Sequence, residues 1–273
     1  MLAQSTHHAQ QSTHINSRDT QATWTRAVRL AGICGILASI AWLLGDILLL
    51  GKPMASSDRY PILGAYDGVT GDSLAAMLPA STTRLAWGAL LGVLTGPLYL
   101  AACWHLYRGL RPARRLLSLP PFLLLATGFV LAPFVHGSFF YWGQAAKAVH
   151  DSGSDSPTLT ALPGDFATVL FIPYALLLAC WLTASLWMTV AILRGATSFP
   201  RWMCAATPLV CILIGQLLAK GIPGPAGVPL QGAQLSLANL MFFTLTTITL
   251  WNAHRRTAAS ASATPQDHAG PHP

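Results

Sequence analysis

Phe129–Gln144, FVLAPFVHGSFFYWGQ, is an apolar stretch with a single histidine near its far end. Read together with the apolar residues before it, from about Leu116, it is long enough to cross a bilayer as a helix, which needs roughly 20 residues. At helical spacing His136, Phe140 and Gln144 are four residues apart, so they are expected to share one stripe. That stripe is the reference against which the polar residues of the other apolar segments can be placed.

The whole chain follows the same pattern. Of its 273 residues 53% are hydrophobic and only 9% are charged, and the apolar residues come in long runs. This is the profile of an all-α polytopic transmembrane bundle. Six spans are expected, near Ala27–Leu50, Thr83–Tyr107, Leu116–Gln144, Phe166–Leu193, Met203–Leu218 and Gln234–Asn252. Residues 1–25 and 255–273 are polar and lack periodicity, so disordered tails are expected on either side of a transmembrane domain at 26–254. The five cysteines lie inside apolar runs without a CxxC pair, and they read as small buried residues.

Three connections carry local signals. The segment 51–82 is longer than a bare link needs and is expected to lie over the mouth of a site, with Asp72 capping a short helix through Leu78. A polar loop is expected at Val149–Gly164, and the run GIPGPAGVPLQGA from Gly221 cannot be continuous helix. The second span carries Gly88, Gly92 and Gly96 at intervals of four. Such a stripe lets another helix approach closely, either within the chain or on a partner protein.

Orientation follows from the basic residues. Arg18, Arg26, Arg29, Arg108, Arg111, Arg114, Arg115, Arg194, Arg201, Arg255 and Arg256 fall on one side, and only Lys52, Arg59, Arg84, Lys147 and Lys220 on the other. The excess places both termini in the cytoplasm of a bacterial inner membrane. The bases flank apolar segments and form no continuous patch, which argues for the lipid bilayer as partner and against nucleic acid. His105, Tyr107 and Arg108 read as anchors at the cytoplasmic boundary.

Depth can be estimated from a rise of about 1.5 Å per residue, which puts Asp46 about 28 Å and His136 about 30 Å along their helices from the cytoplasmic side. Gln216 and Lys220 end an outward-going span, and Tyr174 and Asn239 begin inward-going ones, so all belong to the outer layer. On the sixth span Ser236, Asn239, Phe243 and Thr246 share a stripe. A carboxylate inside a span costs roughly 2.5–3.5 kcal/mol on insertion scales, so Asp46 needs water, His136 or Lys220 near it. The expected ligand-binding set is Asp46, His136, Phe140, Tyr141, Gln144, Tyr174, Gln216, Lys220 and Asn239, with Trp142 in the apolar wall.

The residues Gly45-Asp46, Pro97-Leu98-Tyr99-Leu100 followed by His105, His136-Gly137 with Phe139-Phe140-Tyr141, Pro200-Arg201-Trp202, Pro223-Gly224-Pro225 and Asn239 together resemble an uncharacterised family of bacterial multi-pass membrane proteins, a domain of unknown function. The resemblance covers about Ala27–Asn252. It implies a membrane-embedded helical fold and no particular activity.

The sequence has no GxGxxG, Walker, HExxH or GxSxG motif, and no cofactor or metal is expected. Three readings stand. The leading one is an outward-facing pocket that binds a small or lipophilic ligand. The second is a membrane-embedded acid–base enzyme of isomerase or cyclase type, with Asp46 and His136 as its catalytic pair on either side of one cavity. The third is a structural subunit that offers the Gly88 face to a partner.

Overall fold

The computed structural model describes residues 2–66, 68–153, 156–195, 197–222 and 227–251, with side chains from Thr25 onward except that of residue 69. The expected tails at 1–25 and 255–273 therefore lie outside the described residues, apart from the backbone of the first. Among the described residues all regular structure is helical: α1 (Leu2–Leu50), α2 (Gly68–Met77), α3 (Thr82–Leu110), α4 (Arg115–Ser152), α5 (Pro157–Leu193), α6 (Pro208–Gly221), α7 (Val228–Gly232) and α8 (Gln234–Trp251), with 3-10 turns at Pro61–Ala65 and Arg201–Ala206.

Four helices are long and apolar enough to cross a membrane: Thr25–Leu50, Thr82–Leu110, Arg115–Ser152 and Pro157–Leu193. Helix α6, with 14 residues, and α8, with 18, are shorter. Large apolar side chains point outward along the long helices, among them Leu37, Leu44, Leu94, Val130, Phe134, Ile172, Leu176 and Leu186. In water so broad an apolar exterior would drive association, whereas against lipid chains it carries no penalty.

The helices close a ring. Neighbours in it are α1 and α3, α3 and α4, α4 and α5, α5 and α6, α6 and α8, and α8 and α1. Two apolar clusters are stacked inside. One, towards the arginine-rich end, is built on Trp42, Tyr99, Phe129, Trp181 and Phe243. The other joins Leu49, Leu85, Trp142 and Leu170 to Leu63, Leu74 and Met77 of the 51–82 segment. Tyr99 ties the first cluster together: its ring stacks on Phe129 at 4.2 Å, and Trp42 meets it edge-on at 5.5 Å.

Local differences from the sequence reading have physical causes. Asp72 does not cap a helix, because α2 begins at Gly68, whose φ of 55° turns the chain into the helix four residues earlier. The loop expected over Val149–Gly164 is entered by helix from both sides, α4 reaching Ser152 and α5 starting at Pro157. Gly153, with φ of 54°, ends α4, and Pro157 at the first helical position starts α5, so residue types read as loop formers serve as caps. The fifth apolar helix starts at Pro208 and not at Met203. A 3-10 turn and the extended Thr207 precede it, since Pro208 suits a first turn better than a helix interior. The run from Gly221 breaks as expected, and its residues 223–226 lie outside the described set.

Helix α3 passes through Pro97 without interruption. At its start, Arg84 reaches across to the end of α1, donating from Nε to the Leu48 carbonyl at 2.9 Å and from Nη2 to that of Ile47 at 2.6 Å. The Leu48 carbonyl is one that a helix end leaves without an internal partner, and that of Ile47 also accepts from the Gly51 N–H at 3.1 Å. Arg84→Gln is expected to cost about 1.5 kcal/mol, since charged hydrogen bonds of a part-buried side chain are lost. A thermal melt of the purified protein equal to that of wild type would show that the α1 terminus does not depend on this clamp.

Candidate functional site

The site is built where α1, α4, α5 and α8 meet between the two apolar clusters. Trp42 and Asp46 are one turn apart on α1, so they present to the same side. Helix α4 supplies His136 and Phe139, α5 supplies Tyr174 and Trp181, and α8 supplies Ser236 and Asn239. All eight line one cavity of about 70 Å³.

At its centre His136 Nδ1 lies 3.4 Å from Asp46 Oδ1, and the Ser236 hydroxyl donates to Asp46 Oδ2 at 2.6 Å. His136 Nε2 is 3.0 Å from the Gly88 carbonyl oxygen. A carbonyl only accepts, so Nε2 carries the hydrogen and Nδ1 is the ring nitrogen turned to the carboxylate.

Two glycines, Gly45 and Gly92, make room for the imidazole, and a third, Gly88, makes room for α1. A Cβ on Gly92 would stand 2.1 Å from His136 Cδ2, and one on Gly45 would stand 2.9 Å from Nε2 and 2.8 Å from the Gly88 oxygen. Gly88 is buried against Leu48 and Leu49 of α1. One turn along α3, Gly96 receives Pro133, whose Cγ would be 2.4 Å from an added Cβ. The glycine stripe of α3 is therefore a groove for Pro133 and His136 of α4 and for the end of α1. Filled from within the chain, it has no room for the helix of another protein. The Trp42 ring covers the remaining side of His136 at 4.7 Å.

A second cavity of about 250 Å³ adjoins the first and shares Leu50, Phe139, Tyr174, Gly232 and Leu235 with it. Its far wall is Lys52, Met54, Asp72, Ser73 and Ala76, so the 51–82 segment forms one side of the entrance. The arrangement is a narrow, largely aromatic and apolar cavity holding Asp46, under a wider one of mixed polar and apolar lining. Asp46 is almost buried, with 15% of its side chain accessible, and His136 more so at 4%. The carboxylate's free lone pairs suit a hydroxyl or amine donor, and the phenyl and phenol rings above suit an apolar body.

Of the residues singled out from sequence, Asp46, His136, Tyr174 and Asn239 line the cavity. Gln144 does not: it accepts from the Thr82 hydroxyl at 3.1 Å on the side facing α3. Phe140 packs against the outer cluster, Trp142 is buried within it, and Tyr141 points outward. Gln216 and Lys220 lie on α6 outside the lining, and Lys220 is exposed. Steps of four residues advance about 400°, so a stripe drifts by about 40° per step and has turned about 80° by Gln144. Phe139, three residues after His136, is the one that faces the cavity. Trp42, Ser236 and Trp181 complete the wall. Of these, Ser236 is visible in sequence through its stripe with Asn239, and Trp42 through its place one turn before Asp46.

Among the described residues no cluster of three or more His, Cys, Asp or Glu side chains could hold a metal ion. His254, which sequence depth sets near His105, lies outside the described residues. No curated protein and no solved structure matches the chain. A family model does match, over residues 17–253, which take in the Asp46–His136 pair, its glycine slot and both cavities. The chain belongs to the family of unknown function DUF6796.

Proposed function

We propose that this chain is an integral protein of a bacterial inner membrane, with six spans and both termini cytoplasmic, that binds a small lipophilic ligand in a pocket open to the outer face. The observation that carries the reading is the partly paired Asp46 carboxylate in a cavity that shares Phe139 and Tyr174 with a larger one beside it. The ligand's polar end is a hydroxyl or amine that donates to Asp46, and its apolar part lies against the aromatic rings. Shortness of α6 and α8 is compatible with spanning, because short helices at a ring closure can be accommodated by tilt and local thinning of the bilayer.

The acid–base alternative is less well supported in the form in which Asp46 and His136 flank a substrate. The two groups face each other directly, so a substrate meets them from one side and not between them. Binding is what this geometry favours.

Accessibility tests the reading. In a cysteine-free background, single cysteines at Leu50, Leu235 and Ser236 are expected to react with a membrane-impermeant thiol reagent added from outside, and one at Leu250 is not. Absence of labelling at all three, with labelling at Met54 in the outer segment, would mean the cavities are sealed and the pocket reading is wrong.

A further inference from the structure

The two central groups of the outer site turn acceptors towards each other. His136 Nε2 uses its hydrogen on the Gly88 carbonyl at 3.0 Å, so in the neutral imidazole Nδ1 is a bare lone pair. That lone pair faces Asp46 Oδ1 at 3.4 Å. A carboxylate oxygen also only accepts, and two acceptors so placed call for a donor, either a proton or a group on a ligand. Ser236 does not meet the need, because its hydroxyl goes to the other oxygen, Oδ2, at 2.6 Å. The cavity of about 70 Å³ opens on the same carboxyl group, whose side chain is 15% accessible.

The wall around this pair is aromatic. Trp42, Phe139, Tyr174 and Trp181 all line the cavity, and Phe139 and Tyr174 meet edge to face, with centroids 6.5 Å apart and planes at 86°. Ring faces carry negative potential and attract a cation, most strongly once it has left water. Apart from His136, no basic side chain among the described residues lines this cavity. A neutral alcohol gains only contact area from such rings, so the carboxylate and the rings together select a positive head.

We propose that the ligand's head is a primary ammonium, so that the pocket takes a cationic amphiphile and not an alcohol. The inference rests on the pocket reading above and narrows it. An ammonium group has several N–H donors, and one can serve Asp46 Oδ1 while another serves His136 Nδ1; a hydroxyl, with one hydrogen, relieves only one of the two. A cavity of this size has room for only a few heavy atoms, which favours a head on an unbranched methylene chain over a branched one. The chain then passes Phe139 and Tyr174 into the cavity of about 250 Å³, where Leu50, Phe171, Val228 and Leu235 offer apolar surface. Lys52 and Asp72, which also line that cavity, are opposite in charge, so its described rim carries no excess of either sign.

The test uses the full-length protein in phosphatidylcholine nanodiscs and probes of equal chain length: n-octylamine, 1-octanol and octyltrimethylammonium. Melting temperature over a series of probe-to-lipid ratios gives an apparent Kd for each. Octylamine is expected to bind at least about tenfold more tightly than octanol, which lacks the charge, and than octyltrimethylammonium, which lacks an N–H and has a bulkier head. In Asp46→Asn the preference for octylamine over octanol is expected to vanish. Tyr174→Leu should weaken octylamine and leave octanol little changed, because a ring face is lost and an apolar wall is kept. Octanol or octyltrimethylammonium equal to octylamine in wild type overturns the ammonium assignment, and so does the absence of any stabilisation by octylamine, whatever the variants do. An undiminished preference in a folded Asp46→Asn overturns it too. The pocket reading is judged separately, by the cysteine labelling at Leu50, Leu235 and Ser236: labelling there with no amine preference sinks this inference alone.

Discussion

His136→Ala is expected to destabilise the protein by about 3 kcal/mol, because it leaves a nearly buried carboxylate without the imidazole that faces it. The ring makes three contacts that alanine cannot replace: Asp46 at 3.4 Å, the Gly88 carbonyl at 3.0 Å and the Trp42 ring at 4.7 Å. Its removal leaves Asp46 with Ser236 alone and opens a hollow beside three glycines that cannot close it. Partial access to Asp46 from the cavity keeps the loss from being larger. Asp46→Asn behaves differently. Its amide oxygen still accepts from Ser236 and its amide N–H reaches His136 Nδ1, so the cost is expected to stay near 1 kcal/mol. Reversible SDS unfolding of both variants gives the comparison. His136→Ala as stable as wild type would mean that Asp46 is held by water and not by the histidine.

The same pair of variants separates stability from binding. Asp46→Asn should fold yet lose stabilisation by any hydroxyl- or amine-bearing lipophilic compound that raises the melting temperature of wild type, because the anionic acceptor is gone. A full response to such a compound in Asp46→Asn would remove Asp46 from the binding site while leaving its structural role intact.

Depth along a helix is legible in sequence, because a fixed rise per residue places Asp46, His136, Tyr174 and Asn239 at one level without knowledge of packing. Rotation is not. The stripe His136, Phe140, Gln144 is drawn on steps of four, and the accumulated turn carries Gln144 round to Thr82 of α3 while Phe139 takes the cavity wall. Lys220 shows a second limit: it shares the outer layer with Asp46, but α6 presents it outward, and only the packing of α6 on α8 decides that. The glycine stripe of α3 is visible from spacing, but what fills it is not, since a groove suits a helix backbone, a proline ring or an imidazole equally well. A cavity at the arginine-rich end, lined in part by Arg29, His105, Arg108, Arg111, Thr247 and Trp251, escapes for another reason: His105, Arg108 and Arg111 are explained singly by topology, and only the approach of α1 and α8 adds the others to them.

Gly92→Leu carries the sharpest consequence of the way that groove is filled. If the stripe served an external partner, leucine there would leave the monomer folded and abolish association. Instead, even a Cβ at position 92 would stand 2.1 Å from Cδ2 and 2.6 Å from Nε2 of His136, an overlap that neither a helix backbone nor a boxed-in ring can absorb. Helix α4 must move away from α3 or the imidazole must leave its slot. Moving the helix loses the Pro133–Gly96 contact, and displacing the ring breaks the Asp46 pair. The expected cost is at least about 3 kcal/mol, at or beyond the upper end for overpacking, so the variant should be poorly folded in detergent. Gly92→Ala should show a smaller loss of the same kind. Because the clash is with His136 specifically, adding His136→Ala to Gly92→Ala should restore part of what the glycine change costs, giving a double-mutant coupling of about 1–3 kcal/mol for residues in direct contact. Strict additivity of the two changes would mean that the imidazole does not occupy the slot between Gly45, Gly88 and Gly92, and the Asp46–His136 site would have to be rebuilt around a different position of the ring.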